Sequence, residues 1–90
     1  MEVARILNSI GKATFVKYFD NFRNLDRDKC IMLFEENYTD NAKSTRTGHA
    51  KRIFRENMEL EALRLIIASD RVDETTRRKA KEILSREERQ

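Results

Sequence analysis

The chain contains no proline, no tryptophan and only two glycines, Gly11 and Gly48, among its 90 residues. Hairpins usually need glycine or Asn-Gly turns, whereas long stretches without helix breakers favour helices. Charged residues make up 39% of the chain, and an average protein has roughly 25%. Lys, Arg and Glu also form helices well. The sequence therefore predicts an all-α protein with a single domain over residues 1–90.

Cysteine and histidine each occur once, as Cys30 and His49. A lone cysteine excludes an internal disulfide, and we interpret Cys30 as a small buried hydrophobe in a reducing compartment. Metal sites need several ligands at characteristic spacing, and a catalytic histidine needs an orienting partner and a pocket. The sequence also lacks a glycine-rich phosphate loop. We therefore expect no catalytic, cofactor-binding or metal-binding residues, no small-molecule substrate and no enzymatic activity.

Long apolar runs are absent as well. No segment has eighteen consecutive apolar residues, the length that indicates a transmembrane helix. The first residues, Met1 to Arg5, form neither a basic region nor a long apolar run, so they do not resemble a signal peptide. These absences predict a cytoplasmic protein with no membrane partner.

Helical periodicity predicts a compact bundle of about five short helices. Six segments show this periodicity, near residues 2–8, 11–23, 26–37, 42–56, 58–69 and 74–89, and they make five helices if the first two are joined. Whether the first two segments form one helix or two is left open by Gly11, which weakens a helix without forbidding it. Ser9, Asp26 and Asp73 are expected N-caps. Residues 85–90 are expected to fray.

Aromatic residues form the clearest stripe, because Phe15, Tyr18, Phe19 and Phe22 recur at helical spacing. Such a stripe could stack on bases, but it is more often part of a core, and we predict a core. Segment 26–37 is also expected to have a buried side, formed by Cys30, Ile31, Leu33 and Phe34. Segment 58–69 is apolar around most of its girth, which predicts a central helix.

Positive charge is confined to one stretch of the chain. Residues 1–40 carry a net charge of −1, residues 41–56 carry +4, and residues 57–90 carry none. Thr39, Asp40 or Ser44 would cap the helix formed by this basic stretch. A confined basic surface on an otherwise balanced protein indicates an anionic partner, and nucleic acid is the first candidate.

At 100° per residue, the basic helix divides into two sides. Thr47, Ala50, Ile53 and Phe54 share an arc that would pack inward. The predicted nucleic-acid-binding residues are basic or small, with hydroxyl groups at the leading end. They are Ser44, Thr45, Arg46, Gly48, Lys51, Arg52 and Arg55. Lysine and arginine can neutralise phosphates, and a missing side chain at Gly48 would allow close approach of a backbone.

Residues 26–36, a turn at 37–41 and the basic helix have the outline of a helix-turn-helix. The turn is longer than the usual three or four residues and lacks glycine, so a looser helical arrangement is favoured. We expect a small regulator or accessory factor that binds nucleic acid, with duplex DNA favoured. The alternative is a protein-interaction module or homodimer with an incidental basic face. Its apolar surface would lie on segment 58–69, around Leu65.

Overall fold

The computed structural model describes residues 2–89, which form seven α-helices and, within that range, no β-strand. The helices are α1 (Glu2–Ile10), α2 (Lys12–Lys17), α3 (Phe19–Asn24), α4 (Arg27–Leu33), α5 (Asp40–Arg55), α6 (Glu59–Ala68) and α7 (Glu74–Glu88). The Cα radius of gyration is 12.2 Å, and a compact domain of this length is expected to have about 12 Å. The predicted all-α bundle is confirmed, although residues 2–89 form seven helices where about five were predicted.

The core is built around aromatic rings. Phe15, Phe19 and Phe22 are fully buried, and Tyr18 is nearly so. Phe54 of α5 packs against this cluster, with its ring centroid 5.0 Å from that of Phe19 in α3. Edge-to-face and offset arrangements of this kind add stability beyond the area that they bury. The aromatic stripe is therefore core, as its spacing predicts.

Helix α5 holds the central position in the bundle, since it contacts α1, α3, α4 and α6. Arg52 near its end binds Glu2 at the start of α1, and Arg46 near its start binds the carbonyl of Ile10 at the end of α1. The two helices are therefore antiparallel. Helix α6, for which a central place was predicted, packs mainly against α7 and also contacts α1 and α5.

Two breaks interrupt the first third of the chain. Gly11 has φ +94° and separates α1 from α2, which settles the question left open by the sequence. The expected cap Ser9 lies inside α1, where its hydroxyl donates to the carbonyl of Arg5. Tyr18 separates α2 from α3. Its phenol oxygen accepts from the Glu35 N–H at 2.9 Å, a tertiary contact that no local pattern contains.

Helix α4 ends at Leu33, four residues before the predicted end. Phe34 adopts extended backbone and packs in the core, 4.9 Å from the Tyr18 ring centroid. Since the chain turns inward there, Ile31 and Leu33 are not buried as predicted, whereas Cys30 is. The link of residues 34–39 between α4 and α5 is longer than a helix-turn-helix turn. The pair is therefore a looser helical arrangement.

Three predicted helix caps are present. Asp26 accepts from the Lys29 N–H, Thr39 from Ala42 and Asp73 from Thr76. Helix α7 continues to Glu88, although fraying was expected for residues 85–90, of which Gln90 lies outside the described residues. In residues 2–89, no helix combines the length and the apolar character that crossing a membrane requires.

Candidate nucleic-acid interface

Helix α5 presents the inward side that its spacing predicts. Thr47, Ala50 and Ile53 are fully buried, and Phe54 is half-buried against the aromatic core. Thr39 begins the helix by accepting the Ala42 N–H at 3.1 Å. Because α1 flanks α5 on one side and α4 on the other, the remaining strip of α5 faces solvent between them.

Four of the predicted residues lie together on the α4 side of this strip: Ser44, Gly48, Lys51 and Arg55. They fall within about 60° of arc around the helix. Thr45 and Arg52 lie further round, towards α1, and Thr45 is exposed. Arg46 is separate from all of them. We call the surface formed by Ser44, Gly48, Lys51, Arg55 and the neighbouring Arg27 of α4 the basic surface.

Arg27 was not among the predicted residues. Its guanidinium donates to both the hydroxyl and the carbonyl oxygen of Ser44, the second at 3.3 Å. It also lies over Gly48, where an added Cβ would meet Nη1 at 3.5 Å. Arg27 of a neighbouring helix therefore covers Gly48, at an ordinary van der Waals distance from the Cβ position. The spacing along α5 cannot show this, because Arg27 comes from another element.

Lys51 is positioned by a backbone group. Its ammonium donates to the carbonyl of Leu25, the residue that caps the end of α3. A carbonyl is a neutral acceptor, and within residues 2–89 Lys51 forms no ion pair with a carboxylate. The contact fixes the side chain at the junction of α3, α4 and α5.

Cys30 lies close to this junction and is buried. Its thiol donates to the Asn21 carbonyl at 3.2 Å. Burial raises the pKa of the Cys30 thiol, and the nearby charge of Lys51 opposes this only in part. A protonated, buried thiol is a poor nucleophile, which agrees with the interpretation of Cys30 as a structural residue.

Arg52 is neutralised within the protein. Its guanidinium pairs with Glu56 one turn later, at 2.8 Å, and with Glu2 of α1. The hydrogen bond to Glu56 and the charge of Glu2 both raise the pKa of Arg52. Of the cations predicted on this face, Arg52 is thus the least available to a phosphate. Glu2 is fifty residues away in sequence, so the periodicity of α5 gave no sign of this pair.

Arg46 points to the opposite side of α5. It donates to the carbonyl of Ile10, and its guanidinium carbon lies 4.0 Å from the centroid of the Tyr38 ring. On a regular helix Arg46 lies about 160° from Gly48. A ligand bound across the basic surface would therefore not contact Arg46.

The basic surface keeps its charge. Among residues 2–89, neither Arg27, Lys51 nor Arg55 forms an ion pair with a carboxylate, and the exposed Arg55 makes no side-chain hydrogen bond. Arg27 and Lys51 bind only neutral oxygen atoms. Three cations on adjacent turns and helices thus remain available for an anion.

Comparisons of the chain with models of protein families, with curated proteins and with solved structures found no match. Within the described part of the chain, no group of three or more His, Cys, Asp or Glu side chains is arranged to hold a metal ion.

Proposed function

We propose that the protein binds nucleic acid, with duplex DNA favoured, through the basic surface, as a non-enzymatic regulator or accessory factor. One observation supports this most directly. The exposed Arg27 and Arg55 and the half-buried Lys51 share one surface, and within residues 2–89 none of them pairs with a carboxylate, although the chain has sixteen acidic residues. Phosphate contacts from lysine and arginine supply most of the affinity of sequence-independent binding.

Each residue of the basic surface has a distinct part in this proposal. Arg55 is exposed and free to bind a phosphate or a base edge. Arg27 uses part of its guanidinium on Ser44, and the remaining N–H groups can donate to a phosphate. Lys51 adds positive charge from a fixed position. The hydroxyl of Ser44 is held by Arg27 and orients that arginine.

Arg52 contributes less in this arrangement. A phosphate would have to displace Glu2 or Glu56 from its guanidinium. Ion pairs at a protein surface are weak, so a phosphate can replace one of these carboxylates. The replacement adds little net affinity, because one ion pair of Arg52 is lost when another is gained. The proposal therefore rests on three phosphate contacts, not on every cation of α5.

The test is the affinity for a random-sequence duplex, measured by fluorescence anisotropy at low salt. The test variant carries Arg27→Ala, Lys51→Ala and Arg55→Ala together. The control variant carries Arg78→Ala, Lys79→Ala and Lys81→Ala, which removes the same charge from exposed positions of α7. We expect the test variant to lose more than about tenfold in affinity, since even one lost charge-assisted contact is worth about 1.5–3 kcal/mol, and the control to lose far less.

Equal losses in the two triple variants would reject the basic surface as the binding site. Because Lys51 contacts the end of α3, its replacement could also loosen the fold. The double variant Arg27→Ala, Arg55→Ala retains that contact and gives the same comparison. Circular dichroism melting curves of each variant show whether the fold is intact.

A protein-interaction module or homodimer is the second candidate, and one observation favours it. Met32 is 81% exposed and Leu33 is 49% exposed, on neighbouring positions of α4. On segment 58–69, where the alternative surface was expected, Leu60, Leu65 and Ile67 are partly buried and pack against the core, so they expose less apolar surface than Met32. Sedimentation of the wild type and of Met32→Ser, Leu33→Ser tests this candidate. A concentration-dependent dimer that the substitutions abolish would support it.

A further inference from the structure

A cleft of about 380 Å³ lies on the side of α5 that faces away from the basic surface. It is bounded by the α1–α2 junction at Gly11, by Tyr38 and by the link that leads into α7. Its volume is within the lower part of the range for small-ligand sites. Arg46, which was predicted to join the basic surface, lines this cleft instead.

Three cations line the cleft: Lys12, Arg46 and Arg71. Among residues 2–89 none of them pairs with a carboxylate. Lys12 binds the amide oxygen of Asn8, at 3.2 Å, and Arg46 binds a backbone carbonyl. Within the described residues, none of the three cations is therefore engaged in an ion pair.

Asp73 is the one acidic residue in the lining among the described residues. It caps α7, and one of its oxygens accepts the Thr76 N–H at 2.6 Å. This backbone hydrogen bond lowers the pKa of Asp73, so its carboxylate stays ionised. Three positive charges and one negative charge leave the lining with a net charge of +2, which favours a ligand with two negative charges.

Two hydroxyl groups also face each other at the cleft. The oxygen atoms of Thr14 and Tyr38 are 3.3 Å apart, and either one can donate to the other. Only one of the two protons is used in that contact. The other has no acceptor among the described side chains, so it is available to a bound oxyanion. Thr14 is nearly buried, which limits competition from water.

Two contacts fix the side chain of Arg46 in this cleft. Its guanidinium carbon lies 4.0 Å from the centroid of the Tyr38 ring, and the guanidinium donates to the Ile10 carbonyl. An added Cβ on Gly11 would meet Nη1 of Arg46 at 3.2 Å, so the glycine leaves the space that the guanidinium occupies. A planar guanidinium with several unused donors matches two oxygens of a phosphate.

A second groove, of about 460 Å³ between α2, α3 and α7, gives a contrast. Two of the cations that line it are already paired. Lys17 binds Glu35 and Glu36, both at 2.9 Å, and Arg86 binds Asp20 at 2.7 Å. The cations in the cleft beside Gly11 have no such partners.

We propose that the cleft lined by Lys12, Arg46 and Arg71 binds a phosphate group. The group belongs either to a small phosphorylated molecule or to the backbone of a nucleic acid, because both present the same oxygens. The cleft and the basic surface lie on different sides of α5 and share no residue. This proposal therefore does not depend on the proposed function. Binding at the cleft would give the protein a separate site through which a phosphorylated ligand could act.

The test is an NMR titration of the amide signals with two probes, inorganic phosphate and an oligonucleotide without terminal phosphates. We expect saturable shifts at Gly11, Lys12 and Thr14. Shifts with inorganic phosphate assign the source to small phosphorylated molecules, whereas shifts with the oligonucleotide alone assign it to the backbone of a nucleic acid. No shift at these amides with either probe would overturn the proposal.

The variants Arg46→Gln and Arg71→Gln examine the same site. We expect each to raise the dissociation constant of the active probe by about tenfold, the value of one charge-assisted hydrogen bond. Arg71 is exposed and its side chain makes no hydrogen bond within residues 2–89, so its replacement leaves the fold intact. Arg78→Gln on α7 is the matched control. Unchanged affinity in Arg71→Gln and Arg46→Gln would also overturn the proposal.

Discussion

The guanidinium of Arg27 lies over Gly48, with Nη1 3.5 Å from the place that a Cβ on residue 48 would take. This contact joins α4 to α5 at the centre of the basic surface. The separation is an ordinary van der Waals distance, so the space can hold a methyl group. Arg27, not the bare backbone of Gly48, is the group presented to a ligand here.

Gly48→Ala is accordingly expected to stabilise the protein. Gly48 lies inside α5 with helical backbone, and alanine in such a position gains about 1 kcal/mol over glycine. The affinity for duplex DNA should stay within a few-fold of wild type, because Arg27 keeps its place. Urea unfolding and anisotropy measure the two quantities. A loss of stability would show that the position is tighter than the contact with Arg27 indicates.

Gly11→Ala, the same substitution in a different conformation, is expected to have the opposite effect. Gly11 has φ +94°, and a Cβ there would lie 3.2 Å from Arg46 and 3.3 Å from Thr14. With ψ 125° the backbone of Gly11 lies outside the αL region as well, and a residue other than glycine held in such a sparsely populated conformation costs about 1–3 kcal/mol. We expect urea unfolding to show at least this loss, together with displaced amide signals at Arg46. A variant as stable as wild type would contradict the role assigned to Gly11.

The link between α4 and α5 should make stability depend on pH. Burial alone would raise the pKa of Glu36, but hydrogen bonds from Lys17 and Tyr18, at 2.9 and 2.7 Å, outweigh it and lower that pKa. A carboxylate with a lowered pKa stabilises the fold above its unfolded pKa, which is about 4.3. That contribution is lost as the pH falls through the folded pKa.

The measurement is the difference in unfolding free energy between the wild type and Glu36→Gln. We expect the wild type to be more stable near neutral pH and the difference to shrink below about pH 4.3. Glu35→Gln is the control, since Glu35 also pairs with Lys17 but is exposed and makes no side-chain contact with Tyr18. A difference that stays constant down to pH 3 would exclude an ionised Glu36 as the source.

Local patterns in the sequence were enough for much of the fold. The 100° spacing placed Thr47, Ala50 and Ile53 in the core, and the short polar side chains of Asp26 and Asp73 marked two helix starts. These features depend on neighbours within one or two turns. They can therefore be predicted without knowledge of the tertiary structure.

Features that depend on distant partners could not be predicted in this way. The early end of α4 follows from the packing of Phe34 on Tyr18, and one of the two ion pairs of Arg52 is with the distant Glu2. Arg46 is different, because its spacing already put it beside Ile53 on the inward arc. The 100° spacing alone therefore separates Arg46 from the other predicted binding residues.

The salt dependence of binding to duplex DNA is the most direct test of the basic surface. With three phosphate contacts, log K should fall with log salt concentration at a slope of about −2.7. Arg55→Ala should bring that slope closer to zero by about 0.9, the loss of one contact, and Arg78→Ala should leave it unchanged. A wild-type slope near zero, or a slope that Arg27→Ala and Arg55→Ala do not alter, would contradict nucleic-acid binding through this surface.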